Sequence, residues 1–252
     1  MALRTLQLFN LLGFILVIVL NGLANALPIN GYTTGELSDR YPNLFVPAGF
    51  TFSIWGVIYL LLLVFVIYQI RNWWSKHRLD MSFVQKIGPW FAISCLANAS
   101  WIIAWHYVQP LLALFIMFMI LLSLIIIYLR LTEISNVNYW AVKLPFSVYL
   151  GWITVATIAN ITTVLVDAGW RGGAIPEATW AIIMLSVAAT LGLVMLYRRG
   201  DIAYVAVLVW ALFGIYSKRQ AADDTNIAQT AMLCMAVLAV GAAVRFVRGR
   251  LS

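Results

Sequence analysis

Apolar runs of bilayer-crossing length recur along the whole chain, and they restrict what it can fold into. Eight are readable: Leu6–Leu27, Thr51–Ile70, Ile87–Tyr107, Leu111–Leu129, Ala141–Val166, Thr179–Tyr197, Ile202–Ser217 and Ile227–Val247. About 30 Å of hydrocarbon takes roughly 20 residues as a helix, with a range of about 17 to 25. Lipid offers no water to an unpaired amide, so each run is expected to be helical. The seventh run is the shortest. Composition closes off the soluble alternative: of 252 residues, 63% are hydrophobic and 10% charged, against roughly 45–50% and 25% in a soluble domain. No ordinary core absorbs that excess. The expected class is an all-α polytopic membrane protein, with membrane lipid as its first partner.

Charge then orients the spans. A formal net charge of +7 would suit nucleic acid, but the basic residues are scattered between apolar runs, so no nucleic-acid partner is expected. With a cytoplasmic N-terminus, twelve lie inside: Arg4, Arg71, Lys76, Arg78, Lys86, Arg130, Lys143, Arg198, Arg199, Arg245, Arg248 and Arg250. Four lie outside, namely Arg40, Arg171, Lys218 and Arg219. Positive charge gathers on the cytoplasmic side, so the asymmetry supports eight crossings with both termini cytoplasmic. A prokaryotic plasma membrane is expected, because no Arg/Ser-rich transit segment precedes the first run. Arg4, the first run and "NGLANALP" also resemble a secretory signal with a cleavage site after Ala26. The length of the run and the seven spans behind it favour a retained helix. Cys95 and Cys234 both lie inside apolar runs, a placement that suggests neither a disulfide framework nor a metal motif.

The longest connection, residues 28–50, is rich in turn formers and carries Tyr32, Tyr41, Leu44 and Phe45. Loops beyond about 12–15 residues are often lids or binding loops. It ends in "FVPAGFTFSIWGVIYLLL". Pro47 fixes its own φ and Gly49 accepts unusual geometry, so the chain should turn sharply before Thr51 or Ser53 starts a helix. Trp55 and Tyr59, four apart, share a face; an interfacial anchor would also explain them. In the third run Asn98, Trp101 and Trp105 make one stripe. A carboxamide in hydrocarbon must be bonded, so Asn98 faces either a neighbouring helix or a ligand. His106, just beyond, reads as a surface polar group. In the fifth run Trp152, Ala156 and Asn160 are spaced by four, and the small residue leaves room for a helix or a flat ligand. Ala236, Ala239, Val240 and Ala243 make a small-residue stripe in the last run, suited to close helix contact.

Three of these segments, in order, resemble one family. Pro47-Ala48-Gly49-Phe50-Thr51-Phe52-Ser53-Ile54-Trp55, with Tyr59, is similar to the Pro-Pro-Gly-Trp entry of the TspO/MBR (tryptophan-rich sensory, or translocator) proteins. Leu96-Ala97-Asn98-Ala99-Ser100-Trp101 resembles their Leu-Asn-x-x-Trp helix with one alanine inserted. The stretch from Tyr149 to Asn160 resembles their Tyr-Leu-x-Trp-x-x-Phe-Ala-Thr-x-x-Asn helix. The departures are Ala48 for the second proline, Phe50 for the first tryptophan and Val148 for the proline before Tyr149. The resemblance runs over roughly residues 6–166 and implies a five-helix TspO-like ligand-binding unit, 1–170. About three additional transmembrane helices form an extension, 171–252. It also implies a pocket for a flat hydrophobic ligand, protoporphyrin IX or another haem-like tetrapyrrole. Trp55, Asn98, Trp101, Trp152 and Ala156 would line it, with Pro47 at the rim and Asn160 deeper. "VLVDAGWR" lacks the tyrosine of the sterol pattern, so cholesterol is not supported.

A sensor or handler of such a ligand, possessing no required cofactor and able to pair with a second copy, is the expected function. The alternative is a secondary transporter for a small hydrophobic solute, but acidic and basic residues sit near span ends, away from the mid-membrane where coupling groups lie. No nucleophile–base pair lies within the spans, so catalysis is not expected. Lys143 and Lys218 both lie at run ends, which excludes a mid-span Schiff base.

Overall fold

The structure, a computed structural model, describes residues 1–252 except Pro28, Arg78, Arg171 and Ser252, and only the backbone of Asn25 and of residues 248–251. Arg78, Arg171 and the side chains of Arg248 and Arg250, all used above for orientation, therefore lie outside the described residues. Ten α-helices and no strand occur among the described residues. They are α1 (Leu3–Ala26), α2 (Thr34–Asp39), α3 (Ile54–Ile70), α4 (Ser82–Ile87), α5 (Trp90–His106), α6 (Pro110–Thr132), α7 (Leu144–Asp167), α8 (Glu177–Arg199), α9 (Ile202–Ala221) and α10 (Thr225–Leu251). Seven helical stretches among the described residues are long and apolar enough to cross a membrane. The remaining predicted span, α5, has 17 residues, the lower end of what a bilayer needs. The chain is a multi-pass membrane protein.

Helix ends follow local chemistry. The short seventh run grows to the 20 residues of α9. Asp201 caps its start, accepting from the Tyr204 amide at 3.0 Å. Lys218 and Arg219 continue its last turn, where cations favour the helix dipole. Charge had marked them as a boundary, although both are good helix formers. Gly200 ends α8 in the left-handed conformation, φ +65°, a geometry glycine adopts without steric cost.

By packing, the chain separates into two compact units, residues 1–37 with 54–150 and residues 38–53 with 151–252. The division at residue 170 concerned which segments match a family, whereas this one concerns which segments touch, and it passes through α7. In the first unit α1 packs on α5 and α3, and α5 packs on α6. Phe65, Phe91 and Phe146 form its fully buried centre, with ring centroids 4.8–5.6 Å apart in edge-to-face contact. Such pairs contribute about 0.5–1.5 kcal/mol each beyond area burial.

In the second unit α10 packs on α9 and α8. A Cβ on Gly151 would stand 3.0 Å from the Tyr204 carbonyl oxygen and 3.1 Å from Val207 Cβ. Only hydrogen at that position lets α7 and α9 approach so closely. Within the single chain the small-residue stripe Ala236, Ala239, Val240 and Ala243 is exposed, while Ala228, Ala231 and Leu238 are buried. In a helix that is apolar all round, small size alone does not select the buried face.

The first turn of α2 carries a reciprocal cap. Glu36 accepts from the Thr33 amide at 2.7 Å and hydroxyl at 2.9 Å, and its own amide donates to Thr33 Oγ1. The Thr33 backbone bond, then the hydroxyl bond, hold the Glu36 carboxyl below its ordinary value. The cap therefore contributes at neutral pH and is lost as pH falls through that depressed value. Amide exchange over residues 34–39 should accelerate on acidification in the wild type. A Glu36→Gln variant should lack this pH dependence, and an unchanged acid response in that variant would refute it.

Candidate functional site

The entry segment lies in the second unit. The Thr51 amide donates to the Ala48 carbonyl at 3.0 Å, closing a 3₁₀ turn over Gly49–Ser53 that leads into α3 at Ile54. The sharp turn expected from Pro47 and Gly49 is thus present. What it rests on was not foreseen. The Ala48 amide donates to the Gly214 carbonyl of α9 at 3.0 Å, and Trp210 Nε1 donates to the Thr51 carbonyl at 2.9 Å. Phe50 meets the Trp210 and Phe213 rings edge-on at 5.6 and 5.8 Å. An added Cβ on Gly214 would fall 1.9 Å from Thr51 Oγ1 and 3.0 Å from Pro47 Cβ. The segment is seated on a bare stretch of α9 backbone. The available signal was Trp210 and Gly214, one helical turn apart in a run otherwise featureless.

The first unit holds an aromatic–carboxamide cluster. Trp55 stacks on Tyr59 (5.4 Å, 21°) and meets Tyr149 edge-on at 5.9 Å. Asn98 is 1% exposed, and both ends of its carboxamide are engaged. Nδ2 donates to the Tyr149 hydroxyl at 2.9 Å, and Oδ1 accepts from Asn21 Nδ2 at 2.8 Å. The hydrogen-bond partners that a buried carboxamide at Asn98 required are thus present, on α1 and α7. Trp101 is buried and stacks on Trp105 (5.4 Å, 16°), whose Nε1 donates to the Thr34 carbonyl. His106 corrects its reading as a surface group. It is fully buried, with Nδ1 2.8 Å from the Ile102 carbonyl. Its own carbonyl accepts from Asn30, so the segment after α1 folds over the end of α5.

The other sequence-selected residues sit in the second unit. Pro47 is buried against α9. Trp152 is buried and Phe52 meets it edge-on at 5.9 Å. Asn160 donates to the Ala156 carbonyl of its own helix at 2.9 Å, and Ala156 is half-buried. The packing thus gathers Trp55 and Asn98 with Asn21, Tyr59 and Tyr149, and sets Trp101 against Trp105 in the same unit; Pro47, Trp152, Ala156 and Asn160 lie in the second unit. Asn21 was missed because it resembled part of a cleavage-site sequence.

The profile of the TSPO-like protein family matches residues 7–244, and the chain belongs to that family. The match takes in α8, α9 and α10 as far as residue 244, past the resemblance that ends near residue 166. No curated protein and no solved structure matches the chain.

Proposed function

We propose that this TspO-like membrane protein binds a flat hydrophobic ligand of the tetrapyrrole class within the membrane, as a sensor or handler of that ligand. Trp55, Asn98 and Trp101 of the first unit are the proposed contacts. Both termini are proposed to be cytoplasmic, in a prokaryotic plasma membrane. The carrying observation is the Tyr59 hydroxyl. It is buried, stacked beneath Trp55, and has no hydrogen-bond partner. A buried hydroxyl left unpaired costs about 1–3 kcal/mol, and a ligand oxygen or ring nitrogen at that point would remove the cost. Indole and phenol faces beside it suit a conjugated ring.

The test is a Soret-band titration of purified protein in detergent with protoporphyrin IX. Saturable binding is expected, weakened about five- to tenfold by Tyr59→Phe, the equivalent of one hydrogen bond of roughly 1 kcal/mol or slightly more. Trp55→Leu and Trp101→Leu should weaken it at least as much. Unsaturable uptake, or wild-type affinity in all three variants, would sink the proposal.

A further inference from the structure

The second unit contains a chamber that the proposed contacts do not use. About 250 Å³ of space lies among residues 42–45, the last turns of α7 and the first turns of α8. Phe45, Leu165, Met184 and the indoles of Trp170 and Trp180 make its lining mainly apolar. Gly172 positions the indoles. It is buried with φ +94°, and its carbonyl accepts from the Ile175 amide at 3.1 Å and from Trp180 Nε1 at 3.2 Å. The two rings meet edge-to-face at 5.1 Å.

The polar groups of this lining are bonded within the protein. Asn43 Oδ1 accepts from the Phe45 and Val46 amides, and its Nδ2 donates to the Tyr41 carbonyl. The Thr162 hydroxyl donates to the Ile158 carbonyl at 2.9 Å, and Glu177 at the rim is engaged as well. Water would find few partners here. Apolar cavities of this kind stay dry, and one of about 150 Å³ admits benzene. The larger space admits a second ring, yet it falls short of the roughly 300–1,000 Å³ of drug-sized pockets, which excludes a macrocycle. Pro42, Asn43, Leu44 and Glu177 also line a polar recess of about 300 Å³. Its cations are already matched, Lys218 with Asp39 at 2.7 Å and Arg219 with Asp224 at 2.9 Å. A charged ligand group would have to displace one of these pairs, so the occupant carries no charge. The shared rim, where Pro42 and Glu177 are exposed, favours a solute arriving from water over the tail of a lipid. The indole pair favours an aromatic body over a saturated one.

We propose that this chamber is a binding site for a small uncharged aromatic molecule of one or two fused rings, separate from the tetrapyrrole contacts of the first unit. The probe is tritiated indole, read by scintillation proximity on protein in nanodiscs, with empty nanodiscs subtracting partition into lipid. Wild-type protein should bind it saturably at one site. Met184→Trp fills the chamber from α8 and Leu165→Trp fills it from α7, and each should weaken binding at least tenfold. Placing the variants on two helices keeps the test decisive if one of them misfolds. Naphthalene should compete with indole. L-Tryptophan, the same ring bearing both charges, should not, and neither should protoporphyrin IX, which is too large for the space. Unsaturable signal, no competition by naphthalene, competition by L-tryptophan or protoporphyrin IX, or wild-type binding in a folded filling variant would each overturn the proposal. Native mass spectrometry reads the rival occupant. A phospholipid retained by the wild type, lost from Met184→Trp and not displaced by indole would give the chamber to a lipid tail, and would overturn the proposal as well.

Discussion

An alanine at position 214 is expected to destabilise the protein by about 2–3 kcal/mol, the upper range for overpacking a tight contact, and to lift the entry segment from α9. The new methyl would stand 1.9 Å from Thr51 Oγ1, a separation no relaxation of a few tenths of an ångström restores. Moving the segment breaks the Ala48–Gly214 and Trp210–Thr51 hydrogen bonds and withdraws Phe50 from its two aromatic partners. The second site of the cycle is Thr51 itself. Its hydroxyl is buried without a partner, so Thr51→Ala alone should be neutral or slightly stabilising. Combined with Gly214→Ala, it removes the clashing atom and leaves Cβ contacts near 3.0 Å. The double variant should recover more than half of the loss, a coupling typical of touching residues. Thermal melting in detergent measures stability, and amide exchange over residues 47–53 measures docking. Additive effects in the cycle would show that Gly214 and Thr51 do not meet.

The same contact shows why some of this fold was legible in the sequence and some was not. Hydrocarbon thickness imposes a length on every span, so helix existence and approximate ends follow from apolar runs. The entry turn followed from Pro47 and Gly49, whose backbone preferences are local. Its seat on Gly214 is a pairing across more than 160 positions, and in an apolar helix nothing alternates to mark one face. Asn98 separates the two kinds of knowledge: burial in an apolar span required a partner, but the choice of Asn21 and Tyr149 depended on which helices meet. The departure at Phe50 also gains a physical context, since Trp210 and Phe213 lie against that ring. α9, read as part of an extension, supports the entry segment, in keeping with a family match that continues to residue 244.

A second large effect is expected at Gln69, which the sequence presented only as the polar margin of a span. It is fully buried, as are Gln7 and Asn10 of α1. Gln69 Oε1 accepts from Asn10 Nδ2 at 2.8 Å, and its Nε2 donates to the Gln7 carbonyl at 3.3 Å. Gln7 Nε2 donates to the Gln69 carbonyl and to Asn72 Oδ1, while its Oε1 accepts from Trp73 at 2.8 Å. These carboxamides bind α1 to the end of α3 where apolar packing gives little specificity. Hydrogen bonds inside membrane proteins average only about 0.6 kcal/mol in mutant cycles, so two lost bonds alone predict roughly 1 kcal/mol. Gln69→Leu does more, because it strands Asn10, whose Oδ1 already has no partner. With about 1–3 kcal/mol for each buried group left unmatched, the total should reach roughly 2–4 kcal/mol. Asn10→Leu in the same chain removes the stranded carboxamide, and much of the loss should return. Reversible unfolding in mixed micelles distinguishes the accounts: a Gln69→Leu loss near 1 kcal/mol with no recovery in the double variant would mean that the bonds, and not the stranded group, set the cost.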